Sequence, residues 1–372
     1  MEKIWFAEYQ KTGIPETVEL PPENTSLVDV FERNFQKFGS RDAFIFMDKV
    51  NWGIIGCGDV TELKSGPAFN KVSNSRLVAV MRRDAAKAKD YAERHNVQKW
   101  YSDAELLIND PEVNAIYIAT PPATHQKFTL AALAVGKPVY VEKPMALNYN
   151  SATSMALKAT ETNTKLVVAH YRREQPFFKK IKQLLDDKII GDTKLVNLQY
   201  YKKALTPVAL QDNRNKWRVD PEISGGGLFH DLAPHQLDLM YYFFGDAEAV
   251  KGVSFNQGGL YNADDTVSGN VLFKNGVLFN GVWSFGIPEI NEQDYCEIVG
   301  TKGKISFSVF DGNTITVTTN NKINVFTFDA LQHVQQPMIE KVVAYFLGLS
   351  DNPCSGNDGA VIINWMDMMT LK

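Results

Sequence analysis

The chain has 372 residues, a formal net charge of −4, 44% hydrophobic residues and 22% charged residues. At about 150 residues per domain this length predicts two or three domains, each large enough for its own core. The near-neutral charge excludes a nucleic-acid coat or a basic membrane-surface protein, and the apolar content excludes disorder over most of the chain. Three cysteines, Cys57, Cys296 and Cys354, are far apart and odd in number. They predict a reducing compartment without a disulfide framework, and no CxxC or Cys/His cluster offers a zinc site. Residues Met1 to Glu8 lack the apolar run of a secretory signal, and no stretch is long and apolar enough for a membrane span. The expected location is the cytoplasm, with no membrane and no nucleic acid as partner.

Residues 1–49 have their own character. Pro15, Pro21 and Pro22 mark an extended entry. Leu27, Phe31, Phe35 and Phe38 then share one helical face, with Ser26 placed to cap it and Gly39 to stop it. Ala43–Met47 reads as a short apolar strand.

From Val50 the rhythm becomes strand, helix, strand, helix. Strands are predicted at 50–55, 77–81, 115–119, 138–141 and 166–168, with helices at 84–95, 125–134 and 151–162. Such alternation predicts a parallel sheet covered on both faces. Beyond about residue 190 apolar residues alternate at period two, as in Val196, Leu198 and Tyr200. Asn275-Gly276 and the segment Gly300 to Gly303 read as hairpin turns. The second half is therefore expected to be α+β with a mostly antiparallel sheet, closed by helices at 334–347 and 358–369. On the preceding helix, Phe177, Ile181, Leu184 and Leu185 read as core positions.

Gly56-Cys57-Gly58-Asp59-Val60-Thr61 follows the first strand and opens a helix. That is the setting of a dinucleotide site: a tight turn, backbone close to the pyrophosphate, and a helix N-terminus facing its charge. Thr61 replaces the third glycine of the usual pattern, so helix and strand are expected slightly further apart. The second strand ends in Arg82-Arg83-Asp84, with Lys87 one turn on. Two guanidiniums and an ammonium favour the 2′-phosphate of NADP over NAD, and Asp84 is placed to start the helix.

These residues, with Thr120-Pro121-Pro122-Ala123-Thr124-His125, Glu142-Lys143-Pro144, and Gly225-Gly226-Gly227 followed by Asp231 and His235, resemble the Gfo/Idh/MocA oxidoreductase family over about residues 50–372. The resemblance implies a Rossmann domain at 50–170 and an open-faced, mostly antiparallel α+β domain at 171–372. The latter would serve substrate binding and homo-oligomerisation, and its last helices are placed to pack back on the first domain. It implies that Lys143 hydrogen-bonds the substrate hydroxyl or carbonyl beside the nicotinamide. It also implies that Thr120, Pro121, His125 and Glu142 line the nicotinamide ribose and that Trp217-Arg218 reaches over cofactor or substrate. Residues 1–49, through Lys3-Ile4-Trp5, the segment Ser26 to Glu32 and Asp42-Ala43-Phe44, resemble the N-terminus of a bacterial long-chain acyl-CoA synthetase. No phosphate loop or adenylation core follows, so ligase activity is not expected and the segment reads as an appended leader.

Asp231 and His235, four apart, share a helical face and can form a carboxylate–imidazole pair. Pro234 between them requires the helix to begin near His230 or Asp231. The three preceding glycines allow close approach of a ligand. His235 is the candidate general acid/base, and Asp231 would orient it or hold a substrate hydroxyl. Tyr171 and Arg172, at the crossover between domains, are candidates to face the substrate. The leading expectation is an NADP-dependent oxidoreductase acting on a carbohydrate or polyol. The alternatives are a glycosidase-type enzyme with retained dinucleotide and a catalytically dead nucleotide-binding regulator.

Overall fold

The computed structural model describes residues 48–320 and 322–370. The helix expected over residues 27–38 and the strand Ala43–Met47 lie outside the described residues.

Six strands form a parallel sheet: β1 (Val50–Ile55), β2 (Ser75–Met81), β3 (Lys99–Tyr101), β4 (Ala115–Ile118), β5 (Val139–Val141) and β6 (Leu166–Val168). Their order is β3-β2-β1-β4-β5-β6, with the crossover between β1 and β4. This is the doubly wound order that opens a ligand crevice at the carboxyl ends of the strands. β4, β5 and β6 are buried along their whole length, as strands covered on both faces must be. Fully buried Trp52 anchors the layer beneath. Its ring lies 4.7 Å from Phe69 and 5.5 Å from Phe346, and its Nε1 donates to Ser75 Oγ at 3.0 Å. The sequence reading missed β3 and the helix Ala104–Ile108, both too short to show a period.

Eight further strands form the second sheet: β7 (Thr193–Tyr201), β8 (Ala247–Phe255), β9 (Thr266–Phe273), β10 (Leu278–Ser284), β11 (Gln293–Gly300), β12 (Gly303–Phe307), β13 (Thr314–Thr319) and β14 (Lys322–Thr327). The order is β14-β13-β12-β11-β7-β10-β9-β8, antiparallel except where β10 runs parallel to β7. Burial alternates along the central strands, so one face is core and the other is open. Helix Leu228–Phe244 covers the inner face. Phe229 meets Trp283 at 5.1 Å, and Trp283 Nε1 donates to Gln236 Oε1 at 2.6 Å.

The last helix, Gly356–Thr370, lies between the two sheets. A Cβ on Gly356 would crowd Leu166, and one on Gly252 of β8 would come within 2.7 Å of the Met369 backbone. Small residues there let the helix touch both. Phe177, Ile181 and Leu184 are buried on helix Pro176–Asp186, while Leu185 is only partly covered.

Candidate active site

The glycine turn leaves β1 at Gly56, whose φ of +96° suits glycine alone; a Cβ there would come within 2.8 Å of the Thr120 backbone nitrogen. A Cβ on Gly58 would meet nothing closer than 4.0 Å, so that residue faces open space of the kind a pyrophosphate needs. Gly56 and Cys57 both donate their amides to Met81 O, at 2.9 and 3.1 Å. Cys57 is buried, its thiol pushed up to about 11 by loss of solvent, so its side chain supports the turn and does not face a ligand. Thr61 is fully buried; its hydroxyl donates to Gly58 O at 2.8 Å and accepts from Gly58 N at 2.9 Å. The amides of Asp59 and Val60 keep no acceptor among the described residues. The turn thus fits a dinucleotide phosphate, with those two amides as donors.

At the end of β2, Arg82 is half-exposed and Arg83 exposed, and neither is ion-paired among the described residues. Asp84 caps helix Ala85–Arg94 by accepting from Lys87 N at 3.2 Å. Lys87 Nζ lies 3.5 Å from the same carboxylate, so of the three expected cations it is the one already compensated.

The chemistry-bearing residues meet where β5 ends against the first turns of helix Leu228–Phe244. Lys143 Nζ donates to Asp231 O at 2.7 Å and to Asp231 Oδ1 at 3.0 Å. Arg218 Nε donates to Asp231 Oδ2 at 3.0 Å. Burial raises the Asp231 carboxyl, but Lys143 and Arg218 prevail and hold it below the usual carboxylate range. Arg218 also lies over the Trp217 ring at 4.9 Å and donates to Arg214 O. Trp217 is half-buried.

The expected Asp231–His235 pair does not form. Both Asp231 oxygens are taken by cations from other segments, whose charge outweighs a neutral imidazole. His235 instead sits edge-on to Tyr171 at 5.1 Å and to Phe310 at 5.7 Å. Its Nδ1 is buried without a partner among the described residues. Burial, then the charges of Lys143, Arg172, His170 and Lys64, push its pKa well below the usual histidine value. The helix start also differs: it begins at Leu228, with Pro234 inside it. Pro234 removes one amide donor from the helix ladder there.

The glycine run, His125 and Glu142 are each held by packing within the protein. The glycine run packs closely against protein on the side where a Cβ would stand, while Gly225 and His230 also line an open cavity with Leu147, Pro221 and Asp367. A Cβ on Gly225 would reach Leu147 O at 3.0 Å, on Gly226 it would overlap the His230 ring, and on Gly227 the Ala263 side chain. His125 is buried, with Nδ1 2.9 Å from Pro144 O and Nε2 2.7 Å from Thr120 O. It bridges the two loops that carry Thr120 and Pro144. Burial lowers its pKa despite both carbonyls, so the neutral ring donates to one of them at a time. Glu142 is buried too; its Oε1 accepts from Tyr117 and Gln335, both at 2.6 Å, and its Oε2 from Lys143 N at 3.1 Å. It braces the loop carrying Lys143. Thr120 and Pro121 remain half-exposed beside the glycine turn.

Sequence reasoning missed several neighbours. Lys64 follows the glycine-turn helix and is exposed as a residue, though partial desolvation and the charge of Lys143 lower its pKa. Arg173 binds Asp238 at 2.9 and 3.0 Å and Asp358 at 3.2 Å, a buried network behind His235. His170 Nδ1 lies 3.7 Å from Asp238. Asp238 stands three residues after His235 on the helix, the one signal that could have pointed to this layer.

A family profile described as "Oxidoreductase family, NAD-binding Rossmann fold" matches residues 50–170, and a GFO/IDH/MocA C-terminal domain profile matches residues 178–306. The chain is similar to "Oxidoreductase P35" of Formosa agariphila, 49% identical over 320 residues, covering 86% of this chain and 98% of that protein. It is similar also to the 1,5-anhydro-D-fructose reductase of Ensifer adhaerens, 28% identical over 68% of this chain and 74% of the relative. Among solved structures, a levoglucosan dehydrogenase in complex with NADH and levoglucosan has the same fold, with a TM-score of 0.77 at 20% identity, covering 86% of this chain and 96% of the other. The resemblance of residues 1–49 to an acyl-CoA synthetase finds no support in these matches, which are to oxidoreductases and whose family profiles begin at residue 50. The glycine turn, the sheet order and these matches together make the chain a member of the Gfo/Idh/MocA family of oxidoreductases with an NAD-binding Rossmann fold.

Proposed function

We propose that this chain is an NADP-dependent oxidoreductase that moves a hydride between nicotinamide and a carbon of a carbohydrate or polyol. The observation that carries this reading is the convergence of Lys143, Asp231 and Arg218 beside His235 at the carboxyl end of the parallel sheet. When bound, the nicotinamide supplies C4 as the hydride acceptor or donor.

The protein's own residues do the rest. The Lys143 ammonium, fixed by Asp231, donates to the substrate oxygen and stabilises alkoxide character in the transition state. Neutral His235, sealed at Nδ1, takes the hydroxyl proton at Nε2 during oxidation. Arg218 holds the far side of the Asp231 carboxylate, so the Lys143 amine is aimed from a rigid base. Tyr171 packs on His235 and fixes the ring plane. Arg82 and Arg83, at the end of β2 and without an ion pair among the described residues, support NADP.

We place self-association on the open face of the second sheet. Leu272 and Leu278 there are 41% and 40% exposed. Beside them runs a ladder in which Asn270 donates to Asn280 at 2.6 Å and Asn280 to Asn197 at 3.3 Å. The residues 171–372 carrying that sheet form the substrate half, and 50–170 the cofactor half. No helix among the described residues is long and apolar enough to cross a membrane. We place the protein in the cytoplasm, a reducing compartment in which its three free, buried cysteines would stay thiols.

The test is a cofactor-absorbance screen across aldoses, ketoses and inositols with NADP and NAD. Turnover with at least one sugar or polyol, faster with NADP, is expected. Absence of hydride transfer to or from every such compound would remove this reading.

A further inference from the structure

Beyond the proposed hydride transfer, and resting on it, the charge inventory of the site bears on which sugars it takes. Lys143, Arg172 and Lys64 act on His235, and Arg218 joins Lys143 on Asp231, so four cations share the site. Two carboxylates, Glu142 and Asp231, face them, and both are fully engaged. Asp231 is bound by Lys143 and Arg218, while Glu142 accepts from Tyr117, Gln335 and the Lys143 amide. Lys64 and Arg172 therefore have no carboxylate partner among the described residues.

Arg172 is held in place without being neutralised. Its Nη1 donates to Val309 O at 2.6 Å, its Nε is buried without a partner among the described residues, and its guanidinium lies over Phe310 at 4.6 Å and over Tyr171 at 5.8 Å. Phe310 and Tyr171 are the same two rings that pack edge-on to His235. The guanidinium and the imidazole thus share their walls. An unpaired, partly desolvated cation next to a second one is costly unless a ligand supplies the counter-charge.

We propose that the sugar substrate carries an acidic group, which Arg172 and Lys64 receive on the His235 side of the site. A carboxylate suits the planar fork of Arg172, and an acid ester offers the same charge.

The test uses the full chain with matched probes: D-glucuronate, D-glucose 6-phosphate and D-glucose, and likewise D-galacturonate and D-galactose. Each is assayed for turnover with NADP and NAD, and for binding to the NADPH-loaded protein. The acidic member of at least one pair is expected to exceed its neutral counterpart by about tenfold or more in kcat/KM or in affinity, with preference falling as salt rises. The uronate and phosphate arms separate the two acid chemistries. Arg172→Gln and Lys64→Gln should each reduce that preference, Arg172→Lys should keep most of it, and the NADPH Kd should stay within about twofold. Equal or better use of neutral sugars, or a preference unmoved by both Gln variants, overturns the proposal. A loss confined to NADPH affinity also overturns it, since the cations would then serve the dinucleotide. If no sugar is turned over, the hydride-transfer reading fails, while the comparison of glucuronate and glucose binding still decides the acidic subsite.

Discussion

Lys143 and Asp231 join the two halves of the site: one ammonium donates to both the backbone carbonyl and the carboxylate of a single residue, at 2.7 and 3.0 Å. The lysine comes from the end of the parallel sheet and the aspartate from the first turn of helix Leu228–Phe244. Any movement of that helix against the sheet would misplace the amine. Replacing Asp231 by Asn would leave Lys143 and Arg218 facing each other without the carboxylate. Asp231→Asn is expected to cost about 1.5–3 kcal/mol of stability, the scale of hydrogen bonds to charged groups. It should also lower kcat more than it raises KM, as urea unfolding and steady-state kinetics would show.

Lys143 and His235 are expected to act in the chemical step. Lys143→Ala and His235→Ala should each lower kcat by roughly 10²-fold or more, the scale of losing a proton-transfer group. Dinucleotide affinity, read by fluorescence titration, should change far less. Near-normal turnover in either variant removes that residue from the mechanism.

On the proposed reading, cofactor choice rests on Arg82. Its guanidinium has no ion pair to break among the described residues, whereas Lys87 already faces Asp84 at 3.5 Å. Arg82→Asp should therefore shift preference toward NAD by roughly tenfold or more, and Lys87→Ala by much less. Tighter binding of NAD than NADP by the unmodified protein would refute the assignment.

Acid should destabilise the fold earlier than carboxylate chemistry alone would. Burial pushes His170 and His230 down to about 4, and His235 well below its ordinary value. As pH falls through about 6.5 the unfolded chain binds protons that the folded chain refuses, so stability rises with pH and is lost on acidification. With three such rings the loss approaches about 4 kcal/mol per pH unit toward pH 5. Urea unfolding at pH 7, 6 and 5 checks this, and His230→Gln should reduce the slope by one proton.

The glycine run has a packing role that can be measured. Gly227 has φ +83° and would place a Cβ on the Ala263 side chain. Gly227→Ala is expected to cost about 2–5 kcal/mol, from left-handed strain and overpacking together. Adding Ala263→Gly should recover the overpacking part alone. Full recovery would show that the backbone conformation costs nothing.

The alternation of strands and helices from Val50, the glycine turn and the hairpin turns at Asn275-Gly276 and Gly300 to Gly303 were legible in the sequence. Each is written in local periodicity or in turn chemistry that few residues satisfy. Asp84 as a helix cap was legible for the same reason. Local spacing also placed Asp231 and His235 on one helix face, but spacing cannot say which charge an aspartate meets. That was decided by Lys143, 88 residues away in sequence, and Arg218, 13 residues away. Their full charges outcompete an imidazole that burial keeps neutral. The partners of His125 and Glu142 were decided by tertiary packing too. Both lie in motifs that read as ligand-facing, yet burial turned them inward onto Pro144, Thr120, Tyr117 and Gln335. Lys64 carries no local signal, whereas Arg172 reads as a substrate-facing candidate from its place at the domain crossover, with nothing local to say which charges it meets. Their lack of a carboxylate partner is a property of the assembled site, because a charge is compensated or exposed only by what the rest of the chain brings beside it.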